Sequence, residues 1–247
     1  MEDISMNSEQ IKTVLLFPIR NGYARKQFLI ASLVMLAGMI IPIIPLFFLM
    51  GYGARIVRQI VLEKKEPSMT EWDNWGDFFT DGARLFAIHL VYTLPFLIVA
   101  FGVMFMFIFF PAILTSFNDQ MDRTLAPLVG ISFVLGMLIF LMVMILLLPL
   151  QLIIGTAETH VAVKGSFSAG LQFGEWWPIL RKGLGSFVMA FLIFFVVSFA
   201  LNLAIQISVF TIILICVLPF VIFPYGAYIS LILQALYAQA YQKTLAV

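Results

Sequence analysis

Two stretches, Leu85–Phe117 and the run from Leu128 that stops just short of Glu158, contain no Asp, Glu, Lys or Arg. Each exceeds the roughly 20 residues a helix needs to cross the hydrocarbon core of a bilayer. A soluble domain could not cover them: the 247 residues are 62% hydrophobic and 11% charged, and the mean hydropathy is +1.06. That leaves too little polar surface for a water-soluble fold. The expected class is an all-α integral membrane protein, a single membrane domain over 1–247.

Two long hairpins follow from the apolar runs. The first runs from about Arg84 to Pro111, turns through "TSFNDQMDRTLAP" and returns from Pro127 to about Gly155. The second runs from Gly183 to about Phe210, turns tightly and returns to about Tyr241. A third apolar stretch, Phe28–Leu62, poses a topological choice. If it crossed once, the 14 basic residues would divide five against nine between the two sides. If it turns back at Pro42–Pro45, only Arg123 is separated from the rest, as the positive-inside bias prefers. Phe28–Ile41 spans only about 21 Å as a helix, against about 30 Å of hydrocarbon. Pro42 and Pro45 remove backbone donors and break the helix between the legs. The stretch therefore reads as a short or re-entrant hairpin with both ends cytoplasmic, its turn shielded by the other helices because lipid cannot satisfy free backbone groups.

The hairpins share a pattern. An aromatic residue precedes a phenylalanine by eleven positions three times: Phe17 and Phe28, Trp75 and Phe86, Trp176 and Phe187. A glycine lies between them at Gly22, Gly82 and Gly183, and another opens a more polar stretch after each hairpin at Gly53, Gly155 and Gly226. The reading is three copies of an interfacial helix followed by a membrane hairpin, at about 8–62, 70–160 and 166–247. In the second copy Thr70 is placed to cap the interfacial helix, with Asp73 at the capping-box position. Phe17, Trp72, Trp75, Trp176 and Trp177 are the expected membrane-interface residues, rings among acyl chains and indole N–H groups at headgroup level. Asp73, Asp77 and Asp81 form an acidic stripe, for which a solvated helix face is the simpler account.

The Gly-Tyr pair at Gly51 with the spaced Arg55 and Arg58, then Glu-Trp-Asp-Asn-Trp-Gly-Asp-Phe-Phe from Glu71 and Asp81-Gly82, carries a likeness. The chain resembles a prokaryotic membrane-protein family catalogued as domain of unknown function 4013. The resemblance implies a prokaryotic cell membrane and agrees with a short first hairpin. It carries over no activity and no site residues.

Chemistry is sparse. His89, Glu158, His160 and Asp81 could form an acid–base or metal site at the inner face, but Glu158 and His160 stand two apart, off a common helix face, and no ligand spacing is present. The middle of each long leg lacks ionisable groups, which argues against a proton pump or charge-lined channel. One polar line remains, Ser198, Asn202 and Gln206 at i, i+4 and i+8, with Asn202 about 28 Å along its helix from Gly183. Interhelical hydrogen bonding explains it best. No cofactor is expected. Cys216 alone can form neither an intramolecular disulfide nor a metal cluster, and the scattered charge, net +1, gives no nucleic-acid surface. The expected partners are the lipid bilayer and other membrane proteins. The expected role is a non-enzymatic scaffold, accessory subunit or bilayer organiser in the prokaryotic inner membrane, with both termini cytoplasmic. The alternative is a path for a lipid or small neutral solute.

Overall fold

The computed structural model describes residues 7–109, 113, 116, 119–209 and 218–246. Cys216, Asn118 and most of the turns of both long hairpins lie outside them. Among the described residues the chain is helical and contains no strand. The helices are α1 (Ser8–Leu16), α2 (Gly22–Leu36), α3 (Ile44–Val61), α4 (Trp75–Met104), α5 (Asp119–Lys164), α6 (Phe167–Leu171), α7 (Phe173–Lys182), α8 (Leu184–Val209) and α9 (Leu218–Ala246). A single π-helical turn, Phe105–Phe109, continues α4. By internal packing the chain divides into two compact units, Met1–Ile88 with Leu152–Val247, and His89–Gln151.

The core of the first compact unit is built on α9, which packs against α1, α2, α3, α7 and α8. Its C-terminal half is apolar or small on nearly every face, as a helix enclosed by others must be. Leu231, Ile232, Leu236, Tyr237 and Tyr241 are buried, and Ala227, Ala235, Ala238 and Ala240 between them let neighbouring backbones approach. Two of the repeat glycines exploit this. A Cβ at Gly53 would stand 2.2 Å from the Gln234 side chain, and one at Gly155 would stand 2.3 Å from the Tyr237 ring. The third, Gly226, lies on α9 itself and faces Met35 of α2.

Five helices are long and apolar enough to cross a membrane, and their burial separates them sharply. In α3 61% of the apolar window is buried, against 6% in Trp75–Phe107, 11% in Val129–Lys164, 6% in Leu184–Ile207 and 33% in Phe220–Ala246. Ile98, Phe101, Ile145, Val196, Phe199 and Phe220 all present more than half of their surface outward. The α2 leg, at 15 residues, is about 22 Å long.

The chain breaks between α2 and α3 where the two prolines stand, through a 3₁₀ turn at Ala37–Met39. The turn corrects one expectation. Other helices do not cover it: Met39, Ile40, Ile41 and Ile43 are all exposed, Ile40 at 85%. Much of its backbone is bonded from within instead. The N–H groups of Ile40 and Ile41 donate to the Ala37 carbonyl, Ile44 donates to Pro42 and Leu46 to Ile43. Pro42 and Pro45 carry no N–H at all. The Ile44-to-Pro42 bond closes a three-residue γ-turn centred on Ile43, whose φ of 73° is strained for a β-branched residue.

The lead-in to α4 corrects a second. No separate helix precedes it, because α4 runs unbroken from Trp75. Thr70 caps nothing: it is buried, its N–H donates to the Tyr52 hydroxyl and its carbonyl accepts from that hydroxyl at 2.7 Å. Residues 62–74 reach α4 as irregular chain tied to α3. Before the other hairpins, α1 and α7 are helices distinct from α2 and α8, as expected.

Candidate functional site

The corner where α3 meets the start of α4 concentrates polar and aromatic chemistry. Two glycines bring the backbones together there. A Cβ on Gly51 would lie 1.8 Å from the Phe78 carbonyl oxygen, and one on Gly82 would lie 1.7 Å from that of Phe47. The contact is reciprocal, each helix offering a glycine four residues beyond the carbonyl its partner meets. Around it Trp72 stacks on Tyr52, with ring centroids 4.1 Å apart and planes 9° from parallel. Phe48 packs edge-on against Trp75, and Phe47 tilts against Phe86. Each such pair contributes about 0.5–1.5 kcal/mol beyond its buried area. The Trp72 indole N–H donates to the Gln27 carbonyl at 3.2 Å, tying the corner to α2.

Beside this aromatic wall opens a pocket of ≈ 540 Å³ lined by Arg55, Arg58, Asp73, Asp77, Asp81 and Arg84. Two members of the acidic stripe read in the sequence, Asp73 and Asp81, are therefore ion-paired. Arg55 bonds Asp73 and lies over the Phe78 ring, 5.7 Å from its centroid. Arg58 and Arg84 share the mostly buried Asp81, Arg84 at 3.0 Å. The Asn74 amide donates to Asp77. The hydrogen bond from Arg55 holds the Asp73 carboxyl below its usual range. Arg55 and Arg58 stand in the sequence three apart on α3, about one helical turn, but nothing in it says that the acidic face folds onto them.

A second polar constellation centres on His160. Its Nδ1 lies 2.7 Å from the Tyr241 hydroxyl, and its Nε2 lies 3.2 Å from Glu175, which also meets Lys164 at 3.3 Å. Hydrogen bonding from His160, then from Lys164, holds the Glu175 carboxyl below its usual range. Glu175 and Tyr241 were not legible as partners, because they stand 15 and 81 residues away. Glu158 instead lines a water-sized cavity, ≈ 10 Å³, with Thr159, Gln234 and Tyr237. His89 belongs to the other compact unit. Among the described residues no three His, Cys, Asp or Glu side chains are grouped to hold a metal ion.

The expected interface residues divide. Trp75 and Trp177 are 43% and 46% exposed, and Trp72 is half-buried in its stack. Phe17 and Trp176 are enclosed by protein, at 1% and 0%, and the Trp176 N–H donates to the Gly170 carbonyl rather than to anything outside. Those two rings cannot lie among acyl chains. On α8, Asn202 and Gln206 are exposed and Ser198 is half-buried, its carbonyl 3.5 Å from the Tyr225 hydroxyl. Near it an apolar groove of ≈ 750 Å³ runs between α2, α8 and α9, lined by Phe28, Val197, Leu201, Phe220 and Tyr228 among others.

Residues 34–210 match the model of a family described as Protein of unknown function (DUF4013), and the chain belongs to that family. No curated protein and no solved structure matches.

Proposed function

From that membership as premise, we propose that the chain is a multi-pass membrane protein without enzymatic activity, a scaffold or bilayer organiser. The observation that carries this is the burial contrast among the apolar helices: long helices whose apolar windows are 6–11% buried need an apolar solvent. The short hairpin gives the organiser part of the reading. Its α2 leg, at 15 residues, is too short to cross, and its tip offers Met39, Ile40, Ile41 and Ile43 outward on a backbone that bonds most of its own N–H groups. Such a tip enters hydrocarbon with few backbone donors left to penalise it, the Ile43 N–H among them, and a hairpin ending there displaces lipid from one leaflet only. Both termini then lie on the cytoplasmic side, in a prokaryotic cell membrane, with lipid as the main partner and other membrane proteins as further ones. A path for lipid-like molecules is the second reading, and the apolar groove between α2, α8 and α9 favours it.

The test is single-cysteine labelling in a Cys216→Ser background. Ser8 and Ser68 are both exposed and flank the short hairpin. Both react from the cytoplasmic side in right-side-out and inverted vesicles if the hairpin re-enters; labelling from opposite faces defeats the re-entrant reading. Thr244 is unsuitable as a reporter, being buried at 5% exposure.

A further inference from the structure

The pocket at the α3–α4 corner has equal numbers of acidic and basic groups, yet its charge is unevenly placed. Arg55 and Asp73 cancel as a pair. Arg58 and Arg84 both lean on Asp81, so one carboxylate serves two guanidinium groups and one positive charge is left over. Asp77 is bonded by the Asn74 amide, and no cation among the described residues lies within ion-pair distance of it. One negative charge is left over there. Asp77 and Asp81 stand four apart on α4, one turn of helix, with Cβ atoms about 5–6 Å apart, so the anionic surplus neighbours the carboxylate that holds the cationic one. Both border the same ≈ 540 Å³ space, a volume in the range of small-molecule sites. Side-chain exposures of 32% for Arg58 and 38% for Arg84 leave guanidinium edges free to turn into it.

A dipolar pocket selects a dipolar ligand. We propose that this corner binds a phosphate ester bearing a primary ammonium group, phosphoethanolamine in chemical class, either free or as a phospholipid headgroup. The phosphate oxygens accept from Arg58 and Arg84, whose planar donor forks match that geometry. The ammonium N–H groups donate to Asp77. Asp81 keeps both arginines in place when the pocket is empty. The lipid source rests on the membrane reading above, since α3 and α4 are both long and apolar enough to span; the free source does not.

The experiment has two arms. In detergent, isothermal titration of the purified protein with O-phosphoethanolamine, phosphocholine and inorganic phosphate reads the chemistry. Phosphoethanolamine binds saturably and about tenfold more tightly than the other two, a gap of 1.4 kcal/mol, because phosphocholine has no N–H to donate and phosphate has no cation. Asp77→Asn removes that preference while leaving inorganic phosphate binding unchanged. Arg84→Gln weakens all three. In nanodiscs, native mass spectrometry of retained phosphatidylethanolamine against phosphatidylcholine and phosphatidylglycerol reads the source. Selective retention of the ethanolamine lipid assigns the pocket to the membrane, and binding of the free ester alone assigns it to a soluble ligand. Equal affinity for phosphate and phosphoethanolamine, or an Asp77→Asn variant with an unchanged preference and an unchanged melt, overturns the proposal. Flotation with liposomes reports separately on membrane residence, so failure of one reading is not mistaken for failure of the other.

Discussion

Trp75 opens the long helix α4 and Trp176 lies in the short helix before α8, each eleven residues before a phenylalanine. The first ring is 43% exposed and the second 0%. Trp75 leans on Phe48 and Trp72 and turns the rest of its surface outward. Trp176 is closed in by protein, its N–H spent on the Gly170 carbonyl at 3.0 Å. The difference lies in what precedes each ring. Before Trp75 the chain is irregular and tied down by Tyr52, whereas before Trp176 the short α6 folds back and supplies both a carbonyl and a wall. A shared motif fixes position along the chain and leaves open which side of the ring is covered.

The glycines of the same motif give the widest test of that comparison. A Cβ on Gly82 meets a backbone carbonyl, which cannot rotate away; one on Gly183 meets the Thr244 hydroxyl at 1.9 Å, a side chain that can; one on Gly22 meets nothing within 4 Å. Gly82→Ala should therefore cost more than about 3 kcal/mol, or abolish folding, and Gly183→Ala about 1–3 kcal/mol. Gly22→Ala should be neutral or slightly stabilising. Thermal melts in detergent give the order, and equal effects would show that the three positions are equivalent after all.

The tryptophans themselves come next. Trp176→Ala should destabilise by about 3–5 kcal/mol, as loss of a fully buried large ring does. Trp75→Ala removes two aromatic contacts from a part-exposed ring and should cost about 1–2 kcal/mol. In variants retaining one tryptophan, lipids brominated high on the acyl chain should quench Trp75 and leave Trp176 unaffected. Quenching of Trp176 would reopen the symmetric arrangement.

The smallest effect is electrostatic. Glu175 has a folded-state pKa below its ordinary 4.5, so its contribution is present above pH 4.5 and is lost as the pH falls through the folded value. Asp73, at the other corner, is lowered from 3.8, so its loss begins in more acid solution. Glu175→Gln should flatten the first part of an acid melt and leave the later part in place. An unaltered profile would mean that the His160 and Lys164 contacts add nothing to stability.

What the sequence made legible follows from short-range physics. Apolar length places the four long legs, and Pro42 and Pro45 place the break between α2 and α3. Capping at Thr70 failed because a tyrosine 18 residues earlier claims its backbone groups in the fold. The His160 partners and the pairs of Arg55 with Asp73 and Arg58 with Asp81 failed to show for the same reason: each joins segments whose meeting depends on how helices pack. Phe17 and Trp176 look like interfacial aromatics by composition, and only the neighbouring chain decides that they are core.

The central place of α9 bears on how the chain is made. It comes after every helix it packs against, so α1, α2 and α3 leave the ribosome long before the surface that will cover them exists. At ordinary synthesis rates of about 5–20 residues per second, the roughly 200 residues between α1 and α9 keep the early helices waiting about 10–40 s. During that interval lipid, or the insertion machinery, must stand in for α9. A ribosome stalled before Leu218 would therefore leave an inserted but unfinished bundle, exposed to the proteases that clear the membrane.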